Sequence, residues 1–177
     1  FRSRSHENAN YERTFEQLKE HFGNKIILLQ YPLNQGAGFN AVVDILKNKM
    51  LEWKQEGGAP EEKEIPASEN DKVTQLRSAL YDMAAEANDT LMEKYLAGEI
   101  LTENEVLEGL RSVFASGDVY PVMFTSGIRD MGARRLMDAL AIIAPTVKVA
   151  HYPITTTGKE IKPDEKGETS LFVFKTS

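Results

Sequence analysis

The succession of strand, polar loop and helix over residues 119–144 is the feature that most constrains how this chain folds. Residues 119–125 form a β-branched and aromatic run of the buried-strand type, and residues 126–132 form a polar loop. An amphipathic helix is predicted over residues 133–144, where Pro145 ends it. This order is half of a βαβ unit, in which ligands bind at the carboxyl ends of the strands. The sequence therefore predicts a mixed α/β (α+β) fold with a candidate ligand loop after this strand.

Apolar spacing predicts the elements of the first third of the chain. A helix is predicted over residues 10–22, and a buried strand over residues 26–29. Residues 42–46 and 50–53 are predicted as two short strands joined by a turn. One continuous helix over residues 39–54 is the alternative, because the apolar spacing there fits both structures.

Three helices are predicted after a charged segment. Residues 54–69 are rich in Glu, Gly and Pro, which favours a solvated loop. Helices are predicted over residues 71–87 and 90–97. The third begins at Thr102, whose side chain can accept the Glu105 amide while the Glu105 side chain reaches back, and it stops near residue 117.

Composition excludes several kinds of site. The chain has no cysteine, so disulfides, thiolate zinc sites and cysteine nucleophiles are impossible. Its histidines, His6, His21 and His151, have no metal-ligand spacing, and no metal site is expected. The net charge of −6 argues against non-specific binding to a phosphate backbone and permits a basic protein partner. Membrane-spanning and signal-peptide patterns are absent, so we expect a cytoplasmic protein.

Two loops are candidate ligand sites. The Gly36–Gly38 loop lacks the Lys and hydroxyl of a P-loop, which favours a tight turn. The second loop follows a buried strand, and its small residues let backbone amides approach a ligand, although many such loops are only connections. It comprises Thr125, Ser126, Gly127, Ile128 and Arg129. Ser126 is a poor candidate nucleophile, because the G-x-S-x-G motif is missing and no His has a predictable place beside it.

Charged side chains on the helices form further candidate surfaces. Asp82 and Glu86 are four residues apart and share a helix face, and Asp89 lies one turn further on. A solvated surface explains these three residues without any function. The same interpretation is given to Arg134, Arg135 and Asp138.

A large part of the sequence resembles one protein family. The string LYDMAAEANDTLMEKYLAGEILTENEVLEGLR, which begins at Leu80, resembles the helical part of the subdomain inserted in the GTPase domain of bacterial elongation factor G. Residues 31–46 resemble the family's LPIG…F.GVIDL stretch, and Trp53 fits the aromatic residue after it. Residues 121–127, PVMFTSG, resemble PVLCGSA, and the helix that follows resembles the one that closes the GTPase domain. The resemblance covers roughly residues 6–147 in order and spacing.

The resemblance implies a fragment of a P-loop-type GTPase domain with an inserted small sheet and a three-helix subdomain. Residues 1–24 would comprise a tag-like end and a GTPase-domain helix, and residues 25–117 the inserted subdomain. Residues 118–147 would be the last strand, the guanine loop and the closing helix. Residues 148–177 would link to the next domain, with its first strand at 171–175.

The resemblance also implies a nucleotide site. The family's guanine loop falls on Thr125, Ser126, Gly127 and Ile128, where Gly127 replaces an Ala and offers its amide to the guanine oxygen. The family's Asn-Lys-x-Asp motif would fall on Arg2, Ser3, Arg4 and Ser5, and the P-loop would lie upstream. GTP or GDP with Mg²⁺ is therefore expected in a full-length parent, and none is expected to bind this fragment alone.

The resemblance implies partners as well. In the family, the first helix of the inserted subdomain binds the basic C-terminal domain of the ribosomal stalk protein, and Asp82, Glu86 and Asp89 occupy the matching positions. We therefore expect a GTP hydrolase that acts on the ribosome in translocation or recycling, without sequence-specific nucleic acid binding. A stand-alone acidic protein-interaction module without nucleotide binding is the alternative.

Overall fold

The computed structural model describes residues 10–99, 101–117, 119–144, 152–162, 164 and 166–167. The chain divides into two compact units, residues 1–144 and 145–177. All helices and strands named below belong to the first unit. In the second unit, Ile154 and Glu160 form an antiparallel bridge. Pro145 and the strand predicted over residues 171–175 lie outside the described residues. Among the described residues, no helix is long and apolar enough to cross a membrane.

The first helix, α1 (Tyr11–Phe22), confirms the prediction for residues 10–22. Asn10 caps it, since its side chain accepts a hydrogen bond from the Arg13 amide at 2.8 Å. Gly23 ends it with a φ of 62°, a value that L side chains rarely adopt.

A two-stranded parallel sheet joins the strand after α1 to the strand that precedes the candidate loop. It pairs β1 (Ile26–Leu28) with a later strand, Tyr120–Val122. The amide of Leu29 donates to the carbonyl of Val122 at 3.0 Å, which continues the pairing by one residue. Both strands were predicted from their apolar runs, and the second is shorter than predicted.

A four-stranded antiparallel sheet lies between those two strands in the sequence. Its order is β2 (Gln30–Pro32), β3 (Ala41–Asp44), β4 (Lys49–Glu52) and β5 (Glu61–Lys63). The strand Tyr120–Val122 is therefore β6. The two-strand prediction for residues 42–46 and 50–53 is confirmed against the helical alternative. The turn that separates β3 from β4 places Asn48 at a φ of 54°.

Strand β5 corrects the prediction that residues 54–69 are only a solvated loop. Its side chains are exposed, and it pairs with β4 at the edge of the sheet. An ion pair joins Lys47, in the turn between β3 and β4, to Glu62 at 2.6 Å, and a cross-strand pair joins Lys63 to Glu52. The sequence shows no apolar alternation here because neither face of β5 is buried, so only pairing with β4 produces the strand.

Three helices follow: α2 (Asn70–Ala85), α3 (Asp89–Leu96) and α4 (Glu103–Ser116). The predicted capping box of α4 is present. The Thr102 amide donates to the Glu105 carboxylate at 2.8 Å, and the Glu105 amide donates to the Thr102 hydroxyl at 3.4 Å. The last helix of the first unit is α5 (Ala133–Ile143), which Gly132 precedes with a φ of 82°.

Helices α2 and α4 pack in direct backbone contact at Gly109. A Cβ placed on Gly109 would overlap the carbonyl group of Ala84 on α2. Only glycine allows this approach, so this position sets the separation of the two helices.

The antiparallel sheet is buried on both faces, because successive residues of β3 belong to different hydrophobic clusters. Val43 packs in the large cluster that the helices cover, whereas Val42 packs in a smaller one on the other face. The smaller cluster consists of Phe39, Val42, Leu51, Trp53 and Met131. Met131 lies between the candidate loop and α5, so the chain returns from the loop into the core beneath the sheet.

Candidate functional site

The candidate loop between β6 and α5 is closed by a backbone bridge. The Ser126 amide donates to the Met131 carbonyl at 2.9 Å, and the Met131 amide donates back at 3.0 Å. Asp130 lies in the left-handed region, with a φ of 50°, and allows the chain to reverse. The tip of this closed loop is formed by Gly127 and Ile128, and Ile128 is 65 % exposed.

The tip presents the backbone of Gly127. Its amide donates a hydrogen bond to none of the described residues. Apart from Gly127 and its two chain neighbours, no described atom lies within 4 Å of the position that a Gly127 Cβ would take. Next to it, the Ser126 side chain is 2 % exposed, and its hydroxyl lacks a hydrogen-bond partner within the described part of the chain. A buried hydroxyl without a partner is uncommon in folded proteins and indicates a position that a further polar group can satisfy.

The base of the loop is held by buried side chains. Gln30 of β2 is fully buried and donates from Nε2 to the Phe124 carbonyl at 2.8 Å. The Phe124 ring meets Tyr11 of α1 edge to face, with centroids 5.6 Å apart. Tyr11 in turn stacks on Tyr31, and the Lys72 ammonium lies 3.9 Å from the centroid of the Tyr31 ring. The loop therefore begins from a base to which α1, β2 and α2 all contribute.

Arg129 joins the far side of the loop to the sheet region. Its carbonyl accepts the Gly57 amide at 2.9 Å, and its Nη1 donates to the Phe39 carbonyl at 3.3 Å. Its Nε lies 3.3 Å from Glu56 Oε1. The sequence placed Arg129 in the candidate loop but gave it no role, because its partners lie more than 70 positions earlier and only the fold brings them near.

Arg135 corrects a prediction. The sequence assigned it to a solvated surface with Arg134 and Asp138, but its side chain is buried and pairs with the buried carboxylate of Asp44 at the end of β3. Arg135 Nη2 lies 3.3 Å from Asp44 Oδ1, which also accepts the Lys47 amide at 2.9 Å. The helix pattern alone could not reveal this burial, because the carboxylate comes from a distant strand.

The three predicted acidic residues are exposed and lie on two helices. Asp82 is on α2 and accepts a hydrogen bond from the Tyr95 hydroxyl of α3, which raises the pKa of Tyr95. Glu86 is the C-cap residue of α2. Asp89 is the first residue of α3, where the helix dipole favours a negative charge. The acidic residues therefore surround the corner between α2 and α3.

Several predicted positions lie outside the described residues. These are His6 and His151, and the positions of the expected Asn-Lys-x-Asp motif, Arg2, Ser3, Arg4 and Ser5.

Comparison with known proteins supports the fold. No family model matches the sequence. The crystal structure of a protein from Thermus thermophilus is similar to the chain, with a TM-score of 0.70 and 26 % sequence identity over 80 % of this chain. The match covers 21 % of that protein, so this chain spans about a fifth of its length. The described residues thus form a mixed α/β fold with one parallel and one antiparallel sheet, and this fold also occurs within a larger protein.

Proposed function

We propose that this chain is part of an elongation factor G-like translational GTPase and that its loop from Thr125 to Ile128 contacts the guanine base. The observation that carries the proposal is the Gly127 amide, which lies at the exposed tip of a closed loop and donates to none of the described residues. This loop follows the parallel strand β6 and precedes α5, which is where α/β proteins bind ligands. The choice of guanine as the ligand rests on the resemblance of the flanking segments to the elongation factor G family.

The amide at the loop tip suits guanine rather than adenine. Guanine carries an acceptor oxygen at its O6 position, and adenine carries an amino group there. A backbone N–H can donate to the guanine oxygen. The adenine amino group is itself a donor, so it cannot accept that hydrogen bond. Gly127 therefore supplies base selectivity, while Ser126 offers a buried hydroxyl to a neighbouring polar group of the complete site.

Phosphate binding and hydrolysis are assigned to residues outside this sequence. Phosphoryl transfer in such enzymes needs a P-loop Lys, a bound Mg²⁺ and a positioned water. The sequence contains no G-x-x-x-x-G-K-[ST] motif. We therefore assign no catalytic residue to this chain, and GTP, GDP and Mg²⁺ belong to the intact parent.

A protein partner is proposed for the acidic corner between α2 and α3. Asp82, Glu86 and Asp89 are exposed there, and the chain carries a net charge of −6. A basic domain such as that of the ribosomal stalk protein fits such a surface through weak, salt-sensitive contacts. The ribosome is thus the proposed place of action.

The test titrates a fluorescent GTP analogue into the 177-residue chain and, separately, into the intact product of its gene. We expect micromolar or tighter binding by the intact product and no micromolar binding by the chain alone. An intact product that does not bind the analogue would overturn the proposal and favour the acidic protein-interaction module. Micromolar binding by the chain alone would show that the site needs no further residues.

A further inference from the structure

The segment just after the loop tip is fastened to the antiparallel sheet and its connections. The Arg129 guanidinium reaches the Phe39 carbonyl before β3 and the Glu56 carboxylate after β4, each at 3.3 Å. The Arg129 carbonyl also accepts the Gly57 amide at 2.9 Å. A single loop residue is thus held from both its side chain and its backbone.

Two later residues also hold this part of the chain against the antiparallel sheet. Two residues later, Met131 is buried in the small cluster beneath the sheet. Arg135, in the first turns of α5, pairs with Asp44 of β3. The backbone that returns from the tip is therefore anchored at positions 129, 131 and 135 to residues 39–57, whereas Gly127 and Ile128 have no such anchor among the described residues.

We infer that Arg129 is a positioning residue, which holds the loop so that the Gly127 amide faces the guanine oxygen, and that the antiparallel sheet thereby sets base selectivity. This inference rests on the proposed function. Gly127 is two residues from Arg129, inside the ring that the Ser126–Met131 bridge closes. A shift of Arg129 must therefore move the tip or break that bridge.

Arginine suits this task because its planar guanidinium donates in several directions at once. Here Nη1 and Nε serve different acceptors, a backbone carbonyl and a carboxylate. Its side chain is 21 % exposed, so part of the contact is shielded from water. A lysine carries one ammonium and cannot reproduce both contacts in the same geometry.

The first experiment uses nuclear magnetic resonance on the 177-residue chain. Arg129→Gln should shift the Gly127 and Ile128 amide signals and speed hydrogen exchange at the Ser126 and Met131 amides on the order of 10-fold. Arg134→Gln is the matched control, because Arg134 is an exposed arginine on α5. Unchanged signals and exchange rates in Arg129→Gln would overturn the inference.

The second experiment measures selectivity in the intact product, as the affinity for GDP relative to that for ADP. Arg129→Gln should lower this ratio on the order of 10-fold, Arg129→Lys less, and Arg134→Gln should leave it unchanged. General loss of folded protein reduces both affinities together and does not move the ratio. If Arg129→Gln does not fold, Glu56→Gln serves instead, because Glu56 is 64 % exposed and its neutralisation loosens the same contact.

The outcomes distinguish the proposed function from the positioning role of Arg129. A wild-type intact product that binds no guanine nucleotide overturns the proposed function, and with it the role of Arg129 in selectivity. Wild-type binding with an unchanged GDP-to-ADP ratio in Arg129→Gln and Glu56→Gln overturns only the positioning role. Wild-type binding with a lowered ratio in these variants, and no change in Arg134→Gln, supports both.

Discussion

The guanidinium of Arg135 on α5 is paired with the carboxylate of Asp44 at the end of β3, 91 residues earlier, and both side chains are buried. The pair crosses from the closing helix to the antiparallel sheet. Arg135 lies in the helix that follows the candidate loop and ties that helix to the sheet.

Removing one member of this pair should strongly destabilise the fold. Arg135→Met leaves the Asp44 carboxylate buried without its partner, and breaking buried pairs in this way costs about 3–5 kcal/mol. Asp44→Asn combined with Arg135→Met removes both charges and should recover part of that loss. Urea unfolding of the three proteins measures the difference. A double variant no more stable than the single one would contradict the prediction.

Gly109→Ala should also destabilise the chain, although alanine normally favours a helix. The added methyl would overlap the Ala84 carbonyl group and force α2 and α4 apart, and such overpacking costs about 1–3 kcal/mol. Gly38→Ala is the control, because a Cβ at Gly38 has no atom within 4 Å. Thermal unfolding should show a lower midpoint for Gly109→Ala alone, and equal midpoints would contradict the close contact.

Glu105 should make part of the stability depend on pH. Hydrogen bonds from Lys94, and then from the amide and hydroxyl of Thr102, lower the pKa of Glu105 from its ordinary 4.5 to about 2. Because the folded-state pKa is the lower one, its contribution is present above pH 4.5 and is lost as the pH falls from 4.5 to about 2.

Thermal unfolding across that pH range tests this prediction. Glu105→Gln should be less stable than wild type at neutral pH, and the difference should shrink as the pH falls towards about 2. A Glu105→Gln difference that does not change with pH would refute the role of this carboxylate.

Reversing the charge at Asp82 and Glu86 should abolish binding to a basic stalk-type domain. Both residues are exposed, so the double Lys variant should fold. Added salt should also weaken binding by the wild type, because it screens the attraction between opposite charges. The matched control reverses Glu16 and Glu20, two exposed carboxylates four residues apart on α1. Titration calorimetry measures each affinity. Unchanged binding in the Asp82 and Glu86 variant would exclude this surface, and Glu86→Lys alone tests it without the Asp82–Tyr95 contact.

Sequence reasoning succeeded where the interactions are local. The capping box of Thr102 and Glu105 spans three residues, so its residue types predict the start of α4 directly. The helices, from their apolar spacing, and the strands β1 and β6, from their apolar runs, could be predicted for the same reason. The loop of Ser126 and Gly127 was located by its place between strand and helix, whereas its guanine ligand remains a prediction.

Tertiary structure alone decided the remaining features. It selected two strands over one helix for residues 39–54, because β3 pairs with both β2 and β4. It made an edge strand of the polar segment Glu61–Lys63, buried Arg135 against Asp44, and placed Phe39 and Glu56 beside Arg129. Each of these contacts joins residues that are far apart in the sequence, so no local pattern predicts it. The sequence thus determines caps, periods and the loop itself, while long-range pairing determines which charges are buried and what holds the loop in place.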